Sequence, residues 1–168
     1  IWTQGETEAN SAWFPTIDAP NQKTSQEIYI TVPNQYKTLS NGTLTTQTNN
    51  GNNRTDYWKF DQKHAPYLAF MAVGEFEIIQ DYYKNIPVYY YVEKEYAPYA
   101  KDIFGATPEM IGFFADKLGV EYPWEKYSQI VLKDYVSGAM ENTTAVAHGE
   151  QAYQKPGQLI DKNLQENT

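Results

Sequence analysis

The chain has 168 residues, which suits one domain with a full core or two small or incomplete ones. Its formal charge of −8, with Arg54 as the only arginine, argues against nucleic-acid and membrane-surface partners. The lack of cysteine excludes disulfides and thiolate catalysis and leaves a cytoplasmic or a periplasmic location open, and no segment resembles a transmembrane helix or a signal peptide.

The first half of the chain predicts an antiparallel meander of about five strands. Apolar and polar residues alternate in the first of these strands, and Pro33 ends it. The pair Asn41-Gly42 predicts a tight hairpin. The last strand is a nearly continuous apolar run, which indicates burial on both faces. The predicted strands are Gln26–Pro33, Tyr36–Ser40, Thr43–Thr48, Arg54–Gln62 and Pro66–Gln80, with a turn at Asn49–Asn53.

The second half predicts an α and β arrangement, and the character of the chain changes near Asp81–Asn85. A helix is predicted from Thr107 as N-cap to Gly119 as stop, with Pro108 at its first position. Four apolar residues of this helix fall on one stripe. That stripe consists of Met110, Phe113, Phe114 and Leu118. The other predicted elements are a strand at Val88–Tyr96, a helix at Ala97–Phe104, a strand at Ser128–Lys133, and a loop or fraying end from Gln151.

The sequence offers few residues for catalysis. A zinc site needs three or four ligands, and the two histidines, His64 and His148, lie in different halves. We expect each of them to make an ordinary hydrogen bond. No serine sits in a Gly-x-Ser-x-Gly elbow, and no glycine-rich loop suits a phosphate.

One stretch stands out, "SGAMEN" at Ser137–Asn142. Gly138 and Ala139 are small enough for another backbone to approach, as when a peptide adds to a strand edge. If Met140–Thr144 is extended, Glu141 points away from its neighbours and suits an ammonium group. The alternative is a strand-to-loop transition with a solvated glutamate.

Four stretches carry a resemblance to a known family. The "GAMEN" at Gly138–Asn142 resembles the exopeptidase motif of the aminopeptidase N-like zinc metallopeptidases, the gluzincin family that includes the leukotriene hydrolase. Thr3–Glu6 resembles a segment that reaches into the active site from the family's amino-terminal β domain. Trp13–Lys23 resembles the stretch that follows it, and Tyr67–Glu77 the strand that closes that domain.

The resemblance implies an α+β fold class made of two incomplete domains. Residues 1–83 would be the closing antiparallel strands of the amino-terminal β domain. Residues 84–168 would be the first αβ part of a thermolysin-like catalytic domain. The family's His-Glu-x-x-His helix, its third zinc ligand and its catalytic tyrosine all lie downstream of GAMEN. The chain is therefore expected to be an inactive fragment of a zinc aminopeptidase whose zinc ligands are not in this chain.

The resemblance also implies roles for individual residues. Glu141 would bind the free α-amine of a peptide substrate, with Glu6 as a second carboxylate and Gln4 nearby. Gly138 and Ala139 would offer backbone hydrogen bonds to the substrate, while Met140 and Asn142 would support the strand. In the parent enzyme, a zinc-bound water would attack the first peptide bond, with a glutamate of the downstream helix as general base.

Three alternatives remain open at this stage. The chain could belong to a catalytically inactive member of the family that binds peptides, or to a relative with epoxide hydrolase activity. The aromatic content of 15% also fits a carbohydrate-binding β module, although an αβ second half has no role in one. Strand edges left without neighbours would in addition favour self-association of the chain.

Overall fold

The computed structural model describes residues 1–155, 157 and 158 of the chain. They fall into two compact units. The first unit consists of Ile1–Glu75 and Glu141–Ala145, and the second consists of Phe76–Met140 and the described part of Val146–Thr168. Part of the loop predicted from Gln151 onward lies outside the described residues. Within the described part of the chain, no helix is both long and apolar enough to cross a membrane.

The first unit contains two antiparallel sheets. A three-stranded sheet has the order β1-β4-β3, and β2 pairs with β5. The alternation of inward and outward side chains predicted for β1 is confirmed, because Ile30 and Val32 are buried and Tyr29 is exposed. Trp58 of β4, the cross-strand partner of Ile28, is buried as well. The strands are β1 (Thr24–Pro33), β2 (Lys37–Ser40), β3 (Thr43–Asn50), β4 (Asn53–His64) and β5 (Met71–Gly74).

The hairpin predicted at Asn41-Gly42 is wrong. The strands on either side of this pair belong to different sheets, since β2 pairs with β5 and β3 pairs with β4. Gly42 has the positive φ of +73° that a turn needs, and a side chain there would collide with the Lys59 carbonyl. The buried Asn41 amide donates to the Leu68 carbonyl and accepts from the Phe70 backbone N–H. Asn41 therefore anchors a crossing between two sheets.

The long buried strand predicted over Pro66–Gln80 is also wrong. The run begins with a 3₁₀ turn at Pro66–Leu68, continues as β5 in the first unit, and becomes β6 (Glu77–Tyr83) in the second. Exposed and partly buried residues alternate in β6, so this strand is covered on one face only. The apolar run looks like one strand in the sequence because it contains β5 and β6 in succession, which belong to different sheets.

The second unit is built on a five-stranded sheet with the order β6-β7-β8-β10-β9. β6 pairs with β7 antiparallel, and β7 pairs with β8 parallel. The connection from β7 to β8 contains a 3₁₀ segment at Lys94–Tyr99, α1 (Ala100–Phe104) and α2 (Thr107–Leu118). The remaining strands are β7 (Ile86–Val92), β8 (Tyr127–Leu132), β9 (Ala139–Met140) and β10 (Ala145–Gly149). The core of the unit includes Val88, Tyr90, Val92, Ile103, Phe104 and Val131.

Helix α2 forms as predicted but begins with a different N-cap. Gly119 ends it in the left-handed conformation, as expected, whereas its N-cap is Ala106 and not Thr107. The Thr107 hydroxyl instead donates to the buried Gln129 side chain at 2.7 Å. Thr107 and Ala115 are the buried residues of the helix. Three residues of the predicted apolar stripe are exposed, since Phe113, Phe114 and Leu118 are 55%, 59% and 73% exposed.

The exposed apolar side chains of α2 strengthen the prediction of self-association. Exposing two phenylalanines and a leucine of one short helix to water costs free energy. This cost is reduced when two copies of the chain bury these side chains against each other. We expect the 168-residue chain to elute from size-exclusion chromatography above the monomer mass, with a fraction that grows with concentration. Leu118→Glu should shift it towards monomer, and Asn52→Glu, in an exposed turn, should not. A single monomer peak at every concentration would refute the prediction.

Candidate functional site

The GAMEN segment begins on the edge strand of the second unit. β9 pairs with β10 through Met140 opposite Ala147 and Ala139 opposite His148. β9 is last in the sheet order, so its outer side pairs with no other strand among residues that the structure describes. Met140 is 1% exposed and packs inward, whereas Gly138 and Ala139 are exposed. The backbone of the strand is thus open to an added strand on one side.

Two contacts hold the start of this strand. The Gly138 carbonyl accepts a hydrogen bond from the Gly149 N–H at 3.0 Å and a second from Nε2 of Gln151 at 2.6 Å. With both bonds made, the carbonyl is directed towards the interior of its own sheet. Gln151 is a supporting residue that sequence reasoning missed, because nothing local marks a glutamine 13 residues away as its partner.

The chain leaves the strand directly after Met140, so an extended Met140–Thr144 is wrong. Glu141 is exposed, Asn142 is fully buried, and a turn follows at Thr143-Thr144. The Ala145 N–H closes this turn on the Asn142 carbonyl at 2.9 Å. Thr144 has a φ of 64°, which is costly for a β-branched residue and requires support from its surroundings.

That support comes from the first unit, to which Glu141–Ala145 belongs. Nδ2 of Asn41 donates to the Thr143 carbonyl at 2.7 Å, and the Gly42 N–H donates to Oγ1 of Thr144 at 2.8 Å. Nδ1 of His64 lies 3.1 Å from Oγ1 of Thr143. Thr143 and Thr144 are therefore held by three hydrogen bonds. The Glu141 side chain is exposed, but the backbone that follows it is restrained by these hydrogen bonds.

The amino-terminal candidates lie on a segment that is tied to β5. The Thr3 N–H donates to the Met71 carbonyl at 3.0 Å, and Trp2 forms an isolated bridge with Ala72. Gly5 is buried where a side chain would collide with Asn10 and the Tyr67 carbonyl, so this position requires glycine. Gln4 is half-buried and Glu6 is exposed.

The predicted site residues divide between the two units. Gln4, Glu6, Glu141 and Asn142 lie in the first, and Gly138, Ala139 and Met140 lie in the second. The Asn142 amide is unusual because both of its polar atoms are buried and make no hydrogen bond to any described residue. A buried amide without partners costs about 1–3 kcal/mol, so Asn142 is poorly explained as a packing residue.

The two histidines are buried in different units. The His64 ring packs edge-on against Phe60 at 4.8 Å. Nε2 of His148 lies 3.2 Å from the amide nitrogen of Gln129, whose oxygen accepts from Thr107. Burial lowers the pKa of each histidine to about 4, because the charged imidazolium is poorly solvated there. Both are therefore neutral at pH 7 and make the ordinary hydrogen bonds predicted for them.

The described residues do not fit a zinc site. No three His, Cys, Asp or Glu side chains come together in the part of the chain that the structure describes. A protein zinc site needs at least three such ligands. What the described residues can provide is an open strand edge, exposed carboxylates and a restrained turn.

Comparison with known proteins gives matches along most of the chain. Residues 1–68 match the peptidase M1 N-terminal domain, and residues 103–165 match the peptidase family M1 domain. Glutamyl aminopeptidase of Bos taurus is 30% identical over 82% of this chain and 14% of its own length. Aminopeptidase M1 of Arabidopsis thaliana is 28% identical over 89% of the chain and 17% of its length. Aminopeptidase N of Streptomyces lividans is 24% identical over 90% and 18%. The chain thus spans less than a fifth of the length of each of these relatives.

Proposed function

Because the chain belongs to the M1 family of peptidases, we propose that it is the substrate-anchoring part of a zinc-dependent aminopeptidase. In this proposal residues 1–83 are the closing part of an amino-terminal β domain. Residues 84–168 open a thermolysin-like peptidase domain whose zinc motif lies outside this chain. The enzyme removes the first residue of peptides that have a free N-terminus.

The observation that carries the proposal is the exposed backbone of β9 followed at once by the exposed Glu141. A peptide that adds to a strand edge gains backbone hydrogen bonds without regard to its side chains. Gly138 and Ala139 allow that approach because glycine has no side chain and the alanine methyl group is small. The Glu141 carboxylate then offers a charge-assisted hydrogen bond to an ammonium group.

Fixing the amine in this way restricts the reaction to the first peptide bond. Once the ammonium and the first backbone groups are held, only one carbonyl lies at a set distance from the reacting centre. Glu6, in the same unit as Glu141, is proposed as the second carboxylate around the amine, with Gln4 beside it. Two carboxylates around one cation are stable because the bound charge offsets their mutual repulsion.

Met140 and Asn142 are proposed as supports of the site. Met140 is packed into its unit with 1% of its surface exposed. Asn142 is fully buried, so in this proposal it supports the turn from within its unit and does not contact the substrate. Zinc belongs to the parent enzyme in this proposal. The part of the reaction that this chain can carry is binding and orientation of the substrate.

The requirement for a free amine tests the proposed function. We expect the zinc-loaded product of the full gene to hydrolyse an alanyl reporter and to leave its N-acetyl analogue uncut. The acetyl group removes the positive charge and adds bulk where Glu141 must bind. A product that cleaves both reporters at similar rates would contradict the proposal.

A peptide-binding member without catalysis is the second candidate, because the chain itself brings no zinc ligands together among its described residues. The gene sequence after Thr168 distinguishes the two, since only the enzyme requires a His-Glu-x-x-His helix. Peptidase matches in both halves of the chain favour either of these over a carbohydrate-binding module.

A further inference from the structure

The hairpin between β3 and β4 has an asparagine followed by a glycine, Asn50-Gly51, at its tip. β3 ends at Asn50 and β4 begins at Asn53, and these two residues pair with each other, so Gly51 and Asn52 form a two-residue turn. Gly51 has a φ of 61°, the positive value that suits glycine at the first position of such a turn. All four residues are exposed, so the tip is open to water.

An asparagine followed by a glycine can rearrange without an enzyme. The backbone nitrogen of Gly51 attacks Cγ of Asn50, a new C–N bond forms, and the side-chain nitrogen leaves as ammonia with the proton of the Gly51 N–H. Water then opens the resulting succinimide ring at one of its two carbonyl carbons. One opening gives aspartate, and the other gives isoaspartate, in which the main chain runs through Cβ and Cγ of residue 50. The reaction consumes water, releases ammonia and involves no oxidation or reduction.

Nothing among the described residues obstructs this attack at Asn50. Its side chain makes no hydrogen bond to another described residue, and neither does the Gly51 N–H. Apart from its two chain neighbours, no atom lies within 4 Å of the point where a side chain on Gly51 would begin. The turn is held through its carbonyls, because the side chain of Asn34 donates to the Gly51 carbonyl at 3.1 Å and its backbone N–H donates to the Asn52 carbonyl at 3.0 Å. These bonds leave the attacking nitrogen unoccupied.

The other Asn-Gly pair of the chain, Asn41-Gly42, is held in place at both reacting groups. The buried Asn41 amide makes three hydrogen bonds, two donated by Nδ2 to backbone carbonyls and one accepted by Oδ1 from a backbone N–H. The nitrogen that would attack is also engaged, since the Gly42 N–H donates to Oγ1 of Thr144 at 2.8 Å. The reaction at Asn41 therefore requires a local opening of the first unit that breaks all four bonds.

We propose that Asn50 is a site of spontaneous deamidation and isoaspartate formation, and that the fold protects Asn41 from the same reaction. The modified hairpin carries a new negative charge at its tip. The isoaspartate form also lengthens the main chain at the last residue pair of β3 and β4, so it disturbs the strand register there. The site is separate from the peptide-anchoring residues and does not depend on whether the parent protein cleaves peptides.

Incubation of the product of the full gene in a mildly alkaline buffer, followed by digestion and mass spectrometry of the peptides, tests this proposal. In the folded protein we expect Asn50 to deamidate about 100-fold faster than Asn41 or more, because four hydrogen bonds oppose the reaction at Asn41 and none to a described residue opposes it at Asn50. In urea the two rates should become similar, because both pairs are then exposed and both are followed by glycine.

The same hairpin supplies matched controls. Asn49, Asn52 and Asn53 are exposed like Asn50, but the side chain of the residue that follows each of them hinders the attack, so each should react several-fold more slowly. Asn50→Gln should remove the acidic species that forms during incubation and separates on ion exchange, and Asn52→Gln should not. The proposal is overturned if Asn50 stays unmodified in the folded protein while both pairs react in urea, if Asn41 reacts as fast as Asn50 in the folded protein, or if Asn50→Gln forms the acidic species at the original rate.

Discussion

Acidification from about pH 7.5 to about pH 4.5 is expected to destabilise both units of the protein, by up to about 3 kcal/mol for each buried histidine. His64 and His148 have pKa values lowered by burial to about 4, whereas a histidine in the unfolded chain has a pKa near 6.5. Above pH 6.5 both states are neutral, so stability does not depend on these groups. Between about pH 6.5 and 4 the two histidines are protonated in the unfolded chain but stay neutral in the folded chain, so folding stability falls.

Urea unfolding followed by tryptophan fluorescence and circular dichroism at several pH values measures this loss. His64→Phe and His148→Phe each remove one titrating group, so each should abolish the part of the pH dependence that belongs to its unit. This holds even if a variant is less stable at neutral pH, because only the difference between pH values is compared. A stability that stays constant between pH 7 and 5 would contradict the buried, neutral state of these rings.

The acid transition of Asp56 falls at lower pH and can be separated from the histidines. Burial opposes ionisation of this carboxyl, but hydrogen bonds from Arg54, Thr38 and Gln47 outweigh it and lower its pKa below 3.8. The stability that the ionised carboxyl contributes is present above the unfolded pKa of about 4 and is lost as the pH falls below it. The stability contributed by the ionised Asp56 carboxyl therefore begins to be lost at a pH where the loss due to the two histidines is nearly complete.

Local sequence patterns predicted the elements well where the two faces of an element differ in burial. The alternation of β1 survives because Ile30 and Val32 face a core and Tyr29 faces solvent. These patterns failed where the hydrogen-bonding partners of a residue are distant in sequence. Asn41-Gly42 has the composition of a hairpin turn, but the buried Asn41 amide pairs with Leu68 and Phe70, almost 30 residues away, and this outweighs the local preference.

The candidate site shows the same limit. The small residues of GAMEN indicated an approachable strand edge, and β9 lies at the edge of its sheet in the part of the chain that the structure describes. The residues that hold it were not predictable, since Gln151 contacts Gly138 and Asn41 contacts Thr143 across 13 and 102 residues. Hydrogen bonds to backbone carbonyls leave no periodic signal in a sequence, so only the fold reveals them.

Replacing the Glu141 carboxylate with an amide is expected to lower kcat/KM of the proposed enzyme for an alanyl reporter by about 10- to 150-fold. A hydrogen bond to a charged group contributes about 1.5–3 kcal/mol, and Glu141→Gln keeps the shape of the side chain while removing its charge. The turn that follows Glu141 is held by Asn41, Gly42 and His64, so the substitution should leave the backbone in place. Steady-state kinetics of the zinc-loaded product of the full gene measures the effect.

The division of the loss between KM and kcat identifies what Glu141 does. If the carboxylate only attracted the substrate, KM would rise and kcat would stay the same. Because the bound amine also sets the distance to the first peptide bond, we expect kcat to fall as well. Glu125→Gln removes an exposed carboxylate outside the GAMEN segment and should change neither constant by more than about twofold. An equal, small effect of both substitutions would show that the amine is anchored elsewhere, and Glu6 would then be the first residue to test.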